Sequence, residues 1–140
     1  GFSGQGCMEP ELIDALSRID AAVYVISPFG NMTREQADAR YESGVRRLRA
    51  LRPETPSVLG EHCYYRTPHD WKHEAVGRLY DKLKAEGWRK LAIVRMDDMW
   101  PKGDTDGTAD GGHPNDRGEW TMAEAFAAVV KGILQTKGDT

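Results

Sequence analysis

The sequence predicts an α/β domain, a parallel sheet covered by helices, and three observations lead there. Apolar residues recur at helical spacing in four stretches. Three short aliphatic runs lie between those stretches. The two kinds of segment alternate throughout, as they must when parallel strands are joined by crossovers of about a dozen residues or more. At 140 residues the chain, taken as one domain over 1–140, can enclose a single core.

The elements follow in order. "PELIDALSRI" from Pro10 carries Leu12, Ile13, Leu16 and Ile19 on one helical face, with Pro at a first helical position. "AAVYVIS" is apolar along its length, as a strand buried on both faces would be. In "NMTREQADARYESGVRRLRAL", Ala37, Tyr41, Val45, Leu48 and Leu51 share a face, and Thr33 followed three residues on by Gln36 predicts a capping box. "RPETP" breaks the chain and "SVLGEH" reads as the second strand. His73 to Glu86 forms a third helix through Val76, Leu79, Tyr80 and Leu83, with Gly87 placed to end it. "KLAIVRM" is the third strand. After an Asp- and Gly-rich loop, "EWTMAEAFAAVVKGIL" gives the last helix, with Asp116 and Glu119 as its N-terminal capping pair.

A net charge of -3 argues against a nucleic acid or an anionic membrane held by bulk charge. No apolar run reaches the roughly 20 residues of a membrane span. No leader pattern opens the chain, which starts at Gly1, so its compartment stays open. Cys7 and Cys63 are too few for a disulfide framework or a thiolate metal site, and they read as unpaired. Three strands make a narrow sheet, and the chain opens on a Gly-rich loop, so further elements are expected upstream of Gly1.

Ligands of open α/β sheets gather at the carboxyl ends of the strands, which directs attention to the loops that follow them. In "DGGHPND", Gly111 and Gly112 free the backbone to turn, and Pro114 keeps His113 out of helical geometry. Asp110 can accept from one imidazole nitrogen, fixing the tautomer and leaving the other as a general base; the pair could equally satisfy a turn. In "SPFGNM", Asn31 could donate to an oxyanion or cap the following helix. "GFSGQG" offers backbone amides. Ser3 lacks both the downstream Gly and the preceding strand of a nucleophile elbow. His69 and His73 have metal-ligand spacing without the Glu of zinc proteases, and Asp104, Asp106 and Asp110 resemble a calcium loop without its closing Glu. Tyr64, Tyr65, Trp71 and Trp100 could line a cleft or pack.

The order of these landmarks, a Gly-rich loop, an Asn after a strand, and Asp-x-x-His before the last helix, resembles that of the SGNH hydrolases, the GDSL-like esterases and lipases. "GFSGQGCMEPEL" and "DGTADGGHPNDRG" carry the likeness most clearly. The resemblance implies a three-layer α/β/α, flavodoxin-like fold with sheet order 2-1-3-4-5, of which this chain would hold strands three to five. It implies Asp110 as orienter and His113 as base, with Gly4 and Asn31 in the oxyanion hole. The nucleophilic Ser would lie upstream of Gly1, since Ser17, Ser27 and Ser43 do not follow a first strand. The implied substrate is a small ester or acylated carbohydrate; cofactor, metal, nucleic acid and membrane have no part in it. The unpaired edge of strand three invites self-association. Two other classes stay open: a flavodoxin-like binding module with a silent His113, and a metal-dependent hydrolase using His69 and His73.

Overall fold

Helical and extended segments alternate as the apolar pattern predicts. The computed structural model describes residues 4–62, 71–100 and 106–135. Its elements are α1 (Pro10–Ser17), β1 (Tyr24–Ile26), α2 (Arg34–Leu51), β2 (Ser57–Gly60), α3 (Trp71–Ala85), β3 (Leu91–Val94), α4 (Met96–Met99) and α5 (Asp116–Gln135). The three strands form a parallel sheet in the order β1-β2-β3. Val25 pairs with Val58 and Val58 with Ala92, which fixes the two faces.

One face carries Tyr24, Ile26, Leu59, Leu91 and Ile93, packed against α1, α2 and α3 through Ile13, Tyr41, Val45, Leu48, Val76 and Leu83. The other carries Val58 and Val94 beneath Met99, Trp100 and the apolar stripe of α5. Helices therefore lie on both faces, the expected three-layer arrangement. The two faces are covered unequally. Of the α5 residues only Gly118 is buried, and Met122, Phe126, Val129, Val130 and Ile133 are partly covered. Val25, on the α5 face, is 50% exposed.

Local signals explain the helix ends. Thr33 Oγ1 accepts from Gln36 N–H at 3.2 Å and Gln36 Oε1 from Thr33 N–H at 2.9 Å, the predicted capping box. Gly87, at φ +88, closes α3 as Gly87 N–H donates to Lys84 O and Trp88 N–H to Leu83 O.

Several boundaries differ from expectation. Each strand is shorter than its apolar run. Past Gly60, Glu61 still donates its N–H to Val94 O, but its carboxylate turns to accept from Met96 N–H at 2.8 Å, ending the ladder. Helix α3 already includes Trp71 and Lys72, ahead of His73. Helix α4, unforeseen, is a single turn opened by Asp98 accepting from Arg95 N–H at 3.2 Å. Helix α5 begins at Asp116, which was expected to cap it. The cap is Asn115, whose Oδ1 accepts from Arg117 N–H and Gly118 N–H at 3.1 Å each.

Candidate active site

Residues 106–115 form a tight loop that follows β3 and α4. Ala109 N–H donates to His113 O at 2.9 Å and Asn115 N–H to Gly107 O at 3.0 Å, so Thr108 and Pro114 pair as an antiparallel bridge. Gly111 takes φ +88 at the tip, where its N–H meets Thr108 Oγ1 at 3.0 Å. This geometry needs glycine, because an L side chain is strained at positive φ.

Asp110 organises the tip. Its Oδ1 accepts from Gly112 N–H at 2.9 Å and from His113 N–H at 2.8 Å, and its Oδ2 lies 2.7 Å from His113 Nδ1. These bonds hold the carboxyl well below its ordinary value of 3.8: the backbone N–H of His113 contributes most, then its imidazole, then Gly112 N–H. An ionised carboxylate only accepts, so Nδ1 bears a proton, and in the neutral imidazole the lone pair is then on Nε2. The His113 side chain is 82% exposed, within reach of an incoming molecule.

The base of the loop is pressed onto α5. A Cβ on Gly118 would stand 2.0 Å from Gly107 O and 2.7 Å from the Trp100 ring, and one on Gly107 would stand 2.1 Å from that ring. Backbone therefore lies on backbone with the Trp100 indole against it. Asn115 Nδ2 donates to Asp106 O at 2.6 Å.

The loop after β1 is built from distant parts. Phe29 is fully buried, meets Tyr41 edge-on at 4.6 Å and Trp71 at 5.9 Å, and its carbonyl accepts from Lys72 Nζ at 2.7 Å. Asn31 N–H donates to Pro28 O, closing a turn, and Thr33, not Asn31, caps α2. The Asn31 amide instead donates from Nδ2 to Gln5 O at 2.9 Å. That bond joins Asn31 to the glycine loop, where Gly4 is exposed at φ +77. Cys7, buried and free, donates its S–H to Asn31 O at 3.6 Å. Gly30 packs near His62, whose Cε1 would lie 3.5 Å from an added Cβ.

Over residues 1–131 the sequence matches the profile of the GDSL-like Lipase/Acylhydrolase family. The chain belongs to that family. No curated protein sequence matches it. In three dimensions this GDSL-like chain is similar to a protein from Bacteroides ovatus ATCC 8483 described as a GDSL-like lipase, with a TM-score of 0.80 and 26% identity over 94% of this chain and 42% of that one. The salicylyl-acyltransferase SsfX3 of a tetracycline biosynthetic pathway (TM-score 0.66, 17% identity, 91% and 42% covered) shares the fold. So does the family 3 carbohydrate esterase of Clostridium thermocellum (0.61, 13%, 95% and 68%). The chain spans 42% of the length of the first two.

Among the GDSL-like chain's other candidates, Trp71 and Trp100 serve packing, the first against Phe29 and the second over Gly107. His73 is buried with Nδ1 3.9 Å from Glu61 Oε2. A groove of about 360 Å³ beside it, lined by Glu61, Gly77, Arg78, Arg95 and Asp97, is bridged by Arg95 Nη1 donating to Glu61 Oε1 at 3.2 Å. Among the described residues no three His, Cys, Asp or Glu converge as a metal site. Asp110 is engaged with His113, and Asp106 lies 3.8 Å from Arg117. Ser3, Cys63, Tyr64, Tyr65, His69 and Asp104 fall outside the described residues. Sequence reasoning missed Gly107, Asn115 and Gly118; only "HPND", with two adjacent capping residues, hinted at Asn115.

Proposed function

We propose that this chain supplies the base, its orienter and two oxyanion donors of a serine-dependent ester hydrolase. The observation that carries the reading is the 2.7 Å contact of Asp110 with Nδ1 of an imidazole whose side chain is 82% exposed. The nucleophile is a serine outside these 140 residues. Of the four described serines, Ser17, Ser27 and Ser43 each donate their hydroxyl to a backbone carbonyl, and Ser57 is buried in β2.

The serine oxygen attacks the ester carbonyl while His113 Nε2 takes its proton. Asp110 accepts from Nδ1–H and stabilises the imidazolium. The negative charge passes to the former carbonyl oxygen, where Gly4 N–H and the Asn31 amide donate to it. Collapse expels the alcohol, which takes its proton from Nε2. Water then repeats the cycle on the acyl-enzyme. The bond from Nδ2 to Gln5 O uses one of the two amide hydrogens of Asn31, orienting the group while leaving the other for the oxyanion. Small esters, acylated carbohydrates among them, are the proposed substrates.

In the full-length protein, His113→Ala lowers turnover of p-nitrophenyl acetate by about 10⁴-fold or more, with little change in melting temperature. Retained activity removes His113 from the mechanism. For the 140-residue chain alone we propose association between copies through β1, which pairs only with β2 among the described residues and leaves Val25 half exposed. Sedimentation as a monomer across micromolar concentrations refutes that part.

A further inference from the structure

Between His113 and α5 stand only Pro114, whose ring fixes φ, and Asn115. Every polar atom of the Asn115 side chain is engaged. Its Oδ1 accepts from two first-turn amides of α5, at 3.1 Å each, and its Nδ2 donates to Asp106 O at 2.6 Å. Its backbone N–H adds the 3.0 Å bond to Gly107 O. Asn115 therefore joins the helix to both ends of the loop whose tip carries Asp110 and His113.

Capping alone does not call for Asn. Ser and Asp cap helices about as well, because a cap needs only an acceptor. Closing the loop at Asp106 needs a donor as well, and an amide offers an acceptor and a donor on one planar group. We propose that Asn115 is a positioning residue for His113, holding the imidazole in register with Asp110 by tying residues 106–115 to the start of α5. It touches neither substrate nor the reacting atoms. The inference rests on reading His113 as the base, but its geometric half can be measured without turnover.

The test uses Asn115→Ser and Asn115→Asp in the full-length protein. Both keep an acceptor for the α5 amides; the Asp carboxylate has no donor for Asp106 O, and the single, shorter hydroxyl of Ser cannot accept at the helix and also stand where Nδ2 donates. The expected result is a melting temperature near that of the wild type. With it, kcat on p-nitrophenyl acetate falls about tenfold to a hundredfold, the scale of a small misplacement of a reacting group, and KM is unchanged. The carbon-13 NMR titration of the Asp110 carboxyl moves up toward the ordinary value of 3.8. Should Asn115→Ser fail to fold, Asn115→Asp, which adds a favourable charge at a helix N-terminus, carries the test. Wild-type kcat with an unmoved Asp110 titration in either variant reduces Asn115 to a cap and overturns the proposal. If the wild-type protein turns over no ester, the proposed function falls, and the Asp110 titration alone decides the role of Asn115.

Discussion

The hydrogen bonds described above for the Asp110–His113 corner join residues at most nine positions apart. Asn31 takes its orientation from Gln5, 26 positions away, and its loop is anchored by Lys72, 43 positions from Phe29. The difference teaches how each half of the proposed site can fail. A corner closed by local bonds holds its geometry wherever its helix holds. The Asn31 loop, assembled across the fold, depends on the packing of Phe29 with Tyr41 and Trp71, and so on the whole first face of the sheet.

The comparison can be broken from either side. Asn31→Ala in the full-length protein should cost about 10² to 10³ in kcat, the usual loss of an oxyanion donor. Because it also severs the bond to the glycine loop, it should speed amide hydrogen exchange in residues 4–8. An unchanged kcat would remove Asn31 from the site. Gly118→Ala strikes the other half without touching a reacting group. Its Cβ would stand 2.0 Å from a backbone oxygen, which cannot swing aside as a side chain could. The expected cost is about 1–3 kcal/mol of stability, read in a urea titration, with a fall in kcat as the corner lifts from α5. A neutral outcome in both would show that the loop does not need its close seat. The smallest effect is that of pH. Asp110 is depressed in the folded state, so its contribution to stability is fully present above about 4, near its unfolded value, and is lost as the pH falls through its lower, folded value. Asp110→Asn should flatten that acid limb of the melting temperature.

The same contrast explains what was legible in the sequence. Four helices and three strands could be read because their apolar spacing is a local pattern. The Thr33–Gln36 capping box was legible for the same reason. The spacing of Asp110 and His113 left two readings, a carboxylate that meets the imidazole and one that satisfies a turn, and the folded chain does both through Oδ2 and Oδ1. Helix α4 escaped because a single turn is too short for a period to show. The start of α5 was misplaced by one residue at its cap because Asn115 and Asp116 are both good caps, and the seat of Gly107 on Gly118 is a feature of three dimensions. The partner of Asn31 could not be read either. Gln5 offers a backbone carbonyl, which every residue has, and only the folded chain selects it.

The bare contact between Gly107 and Gly118 also bears on how this corner can vary in descendants of the gene. A methyl gained at Gly118 meets Gly107 O, a main-chain atom that no smaller side chain removes, whereas a methyl gained at Gly107 meets the Trp100 ring, which a smaller residue at 100 would relieve. Position 118 is thus closed to any side chain while Gly107 keeps its seat on α5, and position 107 opens only once residue 100 has shrunk.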